Sequence, residues 1–254
     1  MTTMTATEFR PVGPVGRILN VVKLNLANPW TTIVLPWIVL GLIFLLNLIL
    51  WWIILSSIAP EDRADAQSGF QFSGATTWVF VYMMVVAIQA INLTFPFALG
   101  FGVTRRDFWL GSSVTFIALA AMYSTAMTIL SIIEDATNGW GFGGRMFTAI
   151  YFGENPGQRL FIFFVAFLFF FFFGAAIATV YVRWRATGVT FFFVALGALL
   201  VAGVAVLTLT RNWQIIGDFF VGAGLVGSFA WSLVITAISA VVGFLILRKA
   251  TPKN

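Results

Sequence analysis

Two groups of residues in this 254-residue chain have types and spacings that chemistry could use. Gln89 and Asn92 stand three apart, so a helix would set both amides on one face. Such amides either bond a neighbouring helix or border a polar cavity, since an amide among apolar residues takes whichever partner it finds. The second group is the run Phe95-Pro96-Phe97-Ala98-Leu99-Gly100-Phe101-Gly102-Val103-Thr104-Arg105-Arg106-Asp107-Phe108. Pro96 bends a helix end, Gly100 and Gly102 permit a tight reversal, and Thr104 stands where it would cap a short helix opening at Arg105. The product is a small basic and aromatic knob, or an ordinary orienting loop for which Arg105 and Arg106 suffice.

What is missing narrows the chemistry further. The chain has no His and no Cys. That excludes an imidazole base, a thiolate nucleophile, a disulfide and any His/Cys metal site, so neither catalytic residues nor a metal centre are expected. No Asp, Glu, Lys or Arg lies deep within the long apolar runs, which argues against a proton relay or a voltage sensor. Gly222-Ala223-Gly224-Leu225-Val226-Gly227 matches a dinucleotide fingerprint by letter. It has no strand before it and no acid about 20 residues later, so its small residues are expected instead to let helices pack closely. No G-x-x-x-x-G-K-[ST] sequence occurs, so nucleotide hydrolysis and a cofactor are not expected on this chain.

The elements that must position these groups follow from hydropathy. The chain is 60% hydrophobic and 9% charged, against roughly 25% charged in soluble domains. Six runs, at 31–59, 76–99, 108–133, 160–182, 189–209 and 224–247, are each long enough to cross about 30 Å of hydrocarbon as a helix. The first begins too late and runs too long for a cleavable signal, which makes it a permanent span. Uncharged polar residues inside the runs are Asn47, Gln89, Asn92, Thr94, Thr115, Tyr123, Ser124, Thr125 and Thr128. The Phe-rich stretch 161–173 reads as lipid-facing or as packing between helices.

Charge sets the orientation. Arg10, Arg17, Lys23, Arg105, Arg106, Arg183, Arg185, Arg248, Lys249 and Lys253 fall on one side of the runs. Arg63, Arg145, Arg159 and Arg211 fall on the other, with Glu61, Asp62, Asp65, Glu134, Asp135, Glu154 and Asp218. The positive-inside rule then places both termini in the cytoplasm. The net charge of +5 is thereby a matter of membrane orientation, and no nucleic acid is expected as a partner. Trp30, Trp37, Trp78, Trp109 and Trp184 sit at run ends, as an aromatic belt would. Over residues 14–29, Val15, Ile18, Leu19, Val22 and Leu26 share one helical face; Arg17, Asn20, Lys23, Asn25 and Asn28 fall mainly on the other. This is an amphipathic helix lying on the cytoplasmic leaflet. The expected fold class is all-α integral membrane: a disordered stretch 1–13, the interfacial helix 14–29, and six transmembrane helices over 30–254.

The run from Phe95 to Phe108 resembles the loop between the second and third spans of ABC-2 type permeases, the membrane subunits of ABCG-like (type V) ATP-binding-cassette exporters. The helix over 14–29 is similar to their connecting helix, and Tyr181-Val182-Arg183-Trp184-Arg185-Ala186-Thr187-Gly188 looks like their turn after span four. The resemblance implies a multi-pass permease subunit in a bacterial cell membrane, passing an amphipathic or hydrophobic substrate such as a drug, peptide or lipid-like molecule. It implies that Gly102, Val103, Thr104, Arg105, Arg106, Asp107 and Phe108 form a coupling helix seated on separate ATP-binding-cassette ATPase subunits, which would carry ATP and Mg. A second permease subunit, identical or paralogous, would complete the path. Spans two and five would line it, bringing in Gln89, Asn92 and Phe193, and the stretch 212–226 would dip partway into the membrane. The chain departs from full ABCG-like proteins in having no ATPase domain and no large external domain. The other class of function is a non-transporting membrane scaffold or sensor subunit, whose spans bind partner helices and whose basic loop only orients it.

Overall fold

The computed structural model describes residues 13–250, which form helices and connecting turns with no strand among them. The stretch 1–13, expected to be disordered, lies outside the described residues except for Gly13. The elements are α1 (Pro14–Asn25), a π-turn (Trp30–Val34) leading into α2 (Leu35–Ser57), α3 (Arg63–Gly69), α4 (Thr77–Gly100), α5 (Arg105–Ala136), α6 (Pro156–Leu209) and α7 (Trp213–Lys249). Among the described residues, five helical segments are long and apolar enough to cross a membrane: Trp30–Ser57, Pro60–Gly100, Arg105–Ala136, Pro156–Leu209 and Trp213–Lys249.

The two longest helices, α6 and α7, are not straight rods. Arg185 leaves the helical region at φ 59, ψ −155. The rings of Phe173 and Phe192, one on either side of it, lie 6.4 Å apart; on an unbroken helix they would stand about 28 Å apart. The chain therefore folds back at Arg185, and 186–209 runs against 156–184. Gly224, at φ 63, ψ −179, does the same within α7. Phe219 and Trp231 come within 5.9 Å across it, where a straight helix would hold them about 18 Å apart. Residues 213–223 thus form a short arm of about 16 Å. Gly222 and Gly224 do not serve close helix packing, since a Cβ on either would meet nothing within 4 Å. Gly224 serves the reversal instead, at a backbone geometry open essentially to glycine alone.

The first half of α6 is the centre of the bundle. Phe163, Phe167 and Phe171 are fully buried, with Phe80 of α4 at 4.6 Å from Phe167 and Phe116 of α5 stacked at 5.2 Å on Phe171. Each such pair adds about 0.5–1.5 kcal/mol beyond area burial. This face of the Phe-rich run therefore packs between helices. From residue 181 to residue 235, by contrast, no residue is buried.

The start of α2 is clamped by two phenols. In the π-turn the Leu35 N–H bonds the Trp30 carbonyl, leaving that of Thr31 without its helical donor. Pro36 has no N–H to offer Thr32. Tyr82 of α4 and Tyr123 of α5 donate to these two carbonyls, each at 2.8 Å. Elsewhere the polar residues of the spans turn inward on their own helices: Asn47, Thr115, Thr125 and Thr128 donate to carbonyls four residues back. Among the described residues these four make no bond between helices, whereas Thr94 does, donating to Asn25 of α1.

Helix α1 ends at Asn25 rather than near residue 29, and it lies on protein. Val21 is buried against Gly111, where a Cβ would come within 2.5 Å of the valine. Asn25 donates to Ser112 Oγ at 3.1 Å and accepts from Thr94 at 3.2 Å. Arg17 Nε stands 2.9 Å from Asp107 Oδ2, an ion pair by distance whose N–H is not aimed at the oxygen. Arg17 and Asn25, which periodicity puts on the polar face, hold the helix to α4 and α5. Trp109 likewise departs from the aromatic belt, being buried where Gly243 of α7 leaves room for its ring.

Candidate functional site

The basic turn between α4 and α5 is built by local backbone rules. Gly102 adopts φ 77 after the last turn of α4; its N–H bonds the Leu99 carbonyl and that of Val103 bonds Ala98. This pair of bonds satisfies the orphan carbonyls of the helix end, and it needs a residue tolerant of positive φ. Two residues later Thr104 caps α5, its hydroxyl accepting from the Asp107 N–H at 3.1 Å. The cap and the start at Arg105 are as expected, but the helix is not short. It continues unbroken for 32 residues to Ala136, so the turn is the blunt end of two long helices rather than a knob.

That geometry divides the seven residues assigned to coupling. Gly102, Thr104 and Arg106 are exposed, and Val103 and Arg105 are half-buried. Arg105 donates to the Arg248 carbonyl at 2.8 Å, tying the turn to the end of α7. Asp107 and Phe108 point inward, Phe108 with 0% exposure and its ring 5.1 Å from Phe95, so neither belongs to an outer contact surface. Two residues not assigned to the contact do face outward. Phe97 is 55% exposed and Phe101 74%, with their rings 4.7 Å apart. Together with Asn20 and Leu24 of α1 they border a cavity of about 310 Å³.

The three path residues do not meet in a common cavity among those described. Gln89 is exposed, and Asn92 is half-buried with its Oδ1 lacking a hydrogen bond. Phe193 is exposed on the second half of α6, its ring against Phe192 at 5.4 Å.

At the far end of α5 lies a more elaborate arrangement. Glu134 is 1% exposed, and its carboxylate accepts from the N–H groups of Met146 (3.1 Å), Phe147 (3.0 Å) and Thr148 (2.8 Å). The Thr148 hydroxyl at 2.6 Å and the Trp140 indole at 2.8 Å complete the shell. To bring these donors round, the chain uses left-handed residues at Asn138, Gly139, Trp140, Gly141 and Gly143. A buried carboxylate is tolerated only with such a full complement of donors. Arg159, 3% exposed, ion-pairs with Asp135 and donates to the carbonyls of Gly153 and Glu154 at 3.1 and 3.2 Å. Nearby, burial pushes the Tyr151 phenol above its ordinary pKa.

Beneath this cap are two polar cavities, of about 190 and 660 Å³, which share Asp135, Arg145 and Thr148 as walls. Sequence alone places Glu134, Asp135, Arg145 and Arg159 only as charges of one side. The signal for more was the glycine spacing of Gly139-Trp140-Gly141-Phe142-Gly143-Gly144. Among the described residues no cluster of three or more acids suits a metal ion. No family model, curated protein or solved structure matches this chain.

Proposed function

We propose that the chain is the membrane-spanning subunit of a two-part transporter, driven by a separate ATPase in the manner of the ABC-2 permeases its basic run resembles. In this reading it crosses the membrane six times, through α2, α4, α5, 156–184, 186–209 and 225–249, and 213–223 enters only partway. The ring contacts across Arg185 and Gly224 support that count, because they require reversals where length alone gives single helices. Arg17, beside Asp107, and Arg105, bonded to the Arg248 carbonyl, join Arg106 at the turn's end, and the positive-inside rule favours a cytoplasmic side for that end.

The observation that carries the proposal is the α4–α5 turn. A capped, hydrogen-bonded reversal presents Phe97, Phe101 and the exposed Arg106 at the basic end, with α1 attached beside it. Aromatic rings beside a guanidinium suit a protein interface. Because α5 is continuous from this turn to Glu134, a displacement here is transmitted along the whole helix. The unburied stretch 181–235 offers a long apolar flank to lipid, to a second permease subunit and to an amphipathic or hydrophobic substrate.

The test is purification from the native membrane under conditions that keep partners bound. The chain should bring with it a protein carrying the G-x-x-x-x-G-K-[ST] sequence. Arg106→Glu combined with Phe101→Ala should abolish both that association and transport. If the partner stays bound at wild-type levels and transport persists, the turn is not the coupling element, and the scaffold reading takes its place.

A further inference from the structure

The larger cavity at the Glu134 end has a charge arrangement that goes beyond the transport reading and does not depend on an ATPase. Its walls include Asp135, Arg145, Glu154, Arg159, Gln71 and Gln158. Asp135 and Arg159 neutralise each other by their ion pair. Two charges remain. The Arg145 guanidinium and the Glu154 carboxylate make no hydrogen bond or ion pair with any described residue. Both side chains are exposed, so solvent reaches the site.

The backbone that carries these two charges is held in place. Residue 145 stands between Gly144, whose N–H bonds the Gly139 carbonyl at 3.2 Å, and Met146, whose N–H bonds Glu134. The Glu154 N–H bonds Gln158 Oε1 at 2.9 Å, and its carbonyl accepts from Arg159. A cation and an anion carried on held backbone, facing one cavity and leaving each other unpaired, suit a ligand carrying both charges. The volume, about 660 Å³, falls in the range of small-molecule sites.

We infer that this cavity binds a zwitterion, its anionic group on Arg145 and its ammonium on Glu154, with the Gln71 and Gln158 amides serving the polar atoms between. An amino acid or short peptide carries that pair of charges, and so does a phosphatidylethanolamine headgroup.

Calorimetric titration of the whole chain in phosphatidylglycerol nanodiscs, whose headgroup carries no ammonium, tests this, with glycine, dialanine and trialanine as probes. N-acetyl-trialanine keeps only the anion, trialanine amide only the cation, and maltotriose neither. At least one of the uncapped probes should bind, and capping either end should weaken it about tenfold or more. Arg145→Ala should bring free trialanine down to the level of its amide, and Glu154→Ala should bring it down to the level of the N-acetyl form. Both side chains are exposed, so the variants should keep the elution volume and helical signal of the parent. Repeating the titration with phosphatidylethanolamine in the nanodisc separates the two sources. Binding that survives identifies a dissolved zwitterion, and binding that is competed away identifies the lipid headgroup; either supports the pairing of charges. Equal binding of capped and uncapped probes, wild-type binding by both variants, or no binding of any probe at millimolar concentration overturns it.

Discussion

The Tyr123 hydroxyl donates to the Thr32 carbonyl at 2.8 Å, standing where the backbone N–H of residue 36 would be were that residue not a proline. The phenol of α5 thus completes the backbone of α2, and the relationship can be measured by a double-mutant cycle. Tyr123→Phe leaves a buried carbonyl without a donor and should lower stability by about 1–3 kcal/mol. Pro36→Ala returns the missing N–H, so the same tyrosine change should cost less in that background. Equal losses in both backgrounds, read by thermal unfolding in detergent, would show that the phenol does not serve this carbonyl.

The cradle around Glu134 makes a local prediction. Glu134→Gln removes the charge that strengthens its bonds to Met146, Phe147 and Thr148, and should destabilise the cap by about 2 kcal/mol. Amide hydrogen exchange at residues 146–148 should speed up while the centre of α5 stays protected. Unchanged exchange at those three amides would sink the assignment.

Gly111 should accept no larger residue while α1 stays docked. A Cβ there would approach Val21 within 2.5 Å, and the Ile18 carbonyl within 2.9 Å. Gly111→Ala should therefore cost about 1–3 kcal/mol and expose α1 to protease. Adding Val21→Gly should recover part of the loss, because it removes the valine Cβ, the nearest obstacle at 2.5 Å, which an alanine would keep. Gly41→Ala is the control, with nothing within 4 Å of its Cβ, and it should be silent.

At Gly224 the obstacle is backbone rather than space. An alanine there meets no atom, but it would have to hold φ 63 with an extended ψ. Gly224→Ala should thus cost about 1–3 kcal/mol and straighten the arm 213–223. Paired spin labels at residues 219 and 231 would report the straightening as a lengthened distance. An unchanged distance and melting temperature would remove the reversal.

How much of this was readable beforehand depended on range. The Thr104 cap and the start of α5 at Arg105 were legible because capping acts within three residues. The length of α5 is not legible from hydropathy, which separates the turn from the third apolar run although no proline stands between Arg105 and Ala136 to part them. The reversal is legible as the break between the apolar runs 160–182 and 189–209, where Arg183 and Arg185 stand; that Arg185 itself takes the positive φ carries no local signal, since it is a non-glycine residue in a glycine region. The polar faces of α1 misled for a different reason. Periodicity reports which residues share a side; it does not report whether that side meets water or the serines and acids of α5. The path residues Gln89, Asn92 and Phe193 show the same limit, because one-dimensional spacing cannot bring distant helices to a common cavity.

The glycine loop also sets the order in which the chain matures during synthesis. Glu134 emerges from the ribosome before any of its donors, and the last of them, Thr148, follows only 14 residues later. Loop closure over so short a stretch is fast, on the order of 10–100 ns for about ten residues. The carboxylate is therefore covered almost as soon as Thr148 emerges, before the aromatic centre of α6 has followed it out. The cap can act as the first completed piece of tertiary structure, against which the later helices assemble.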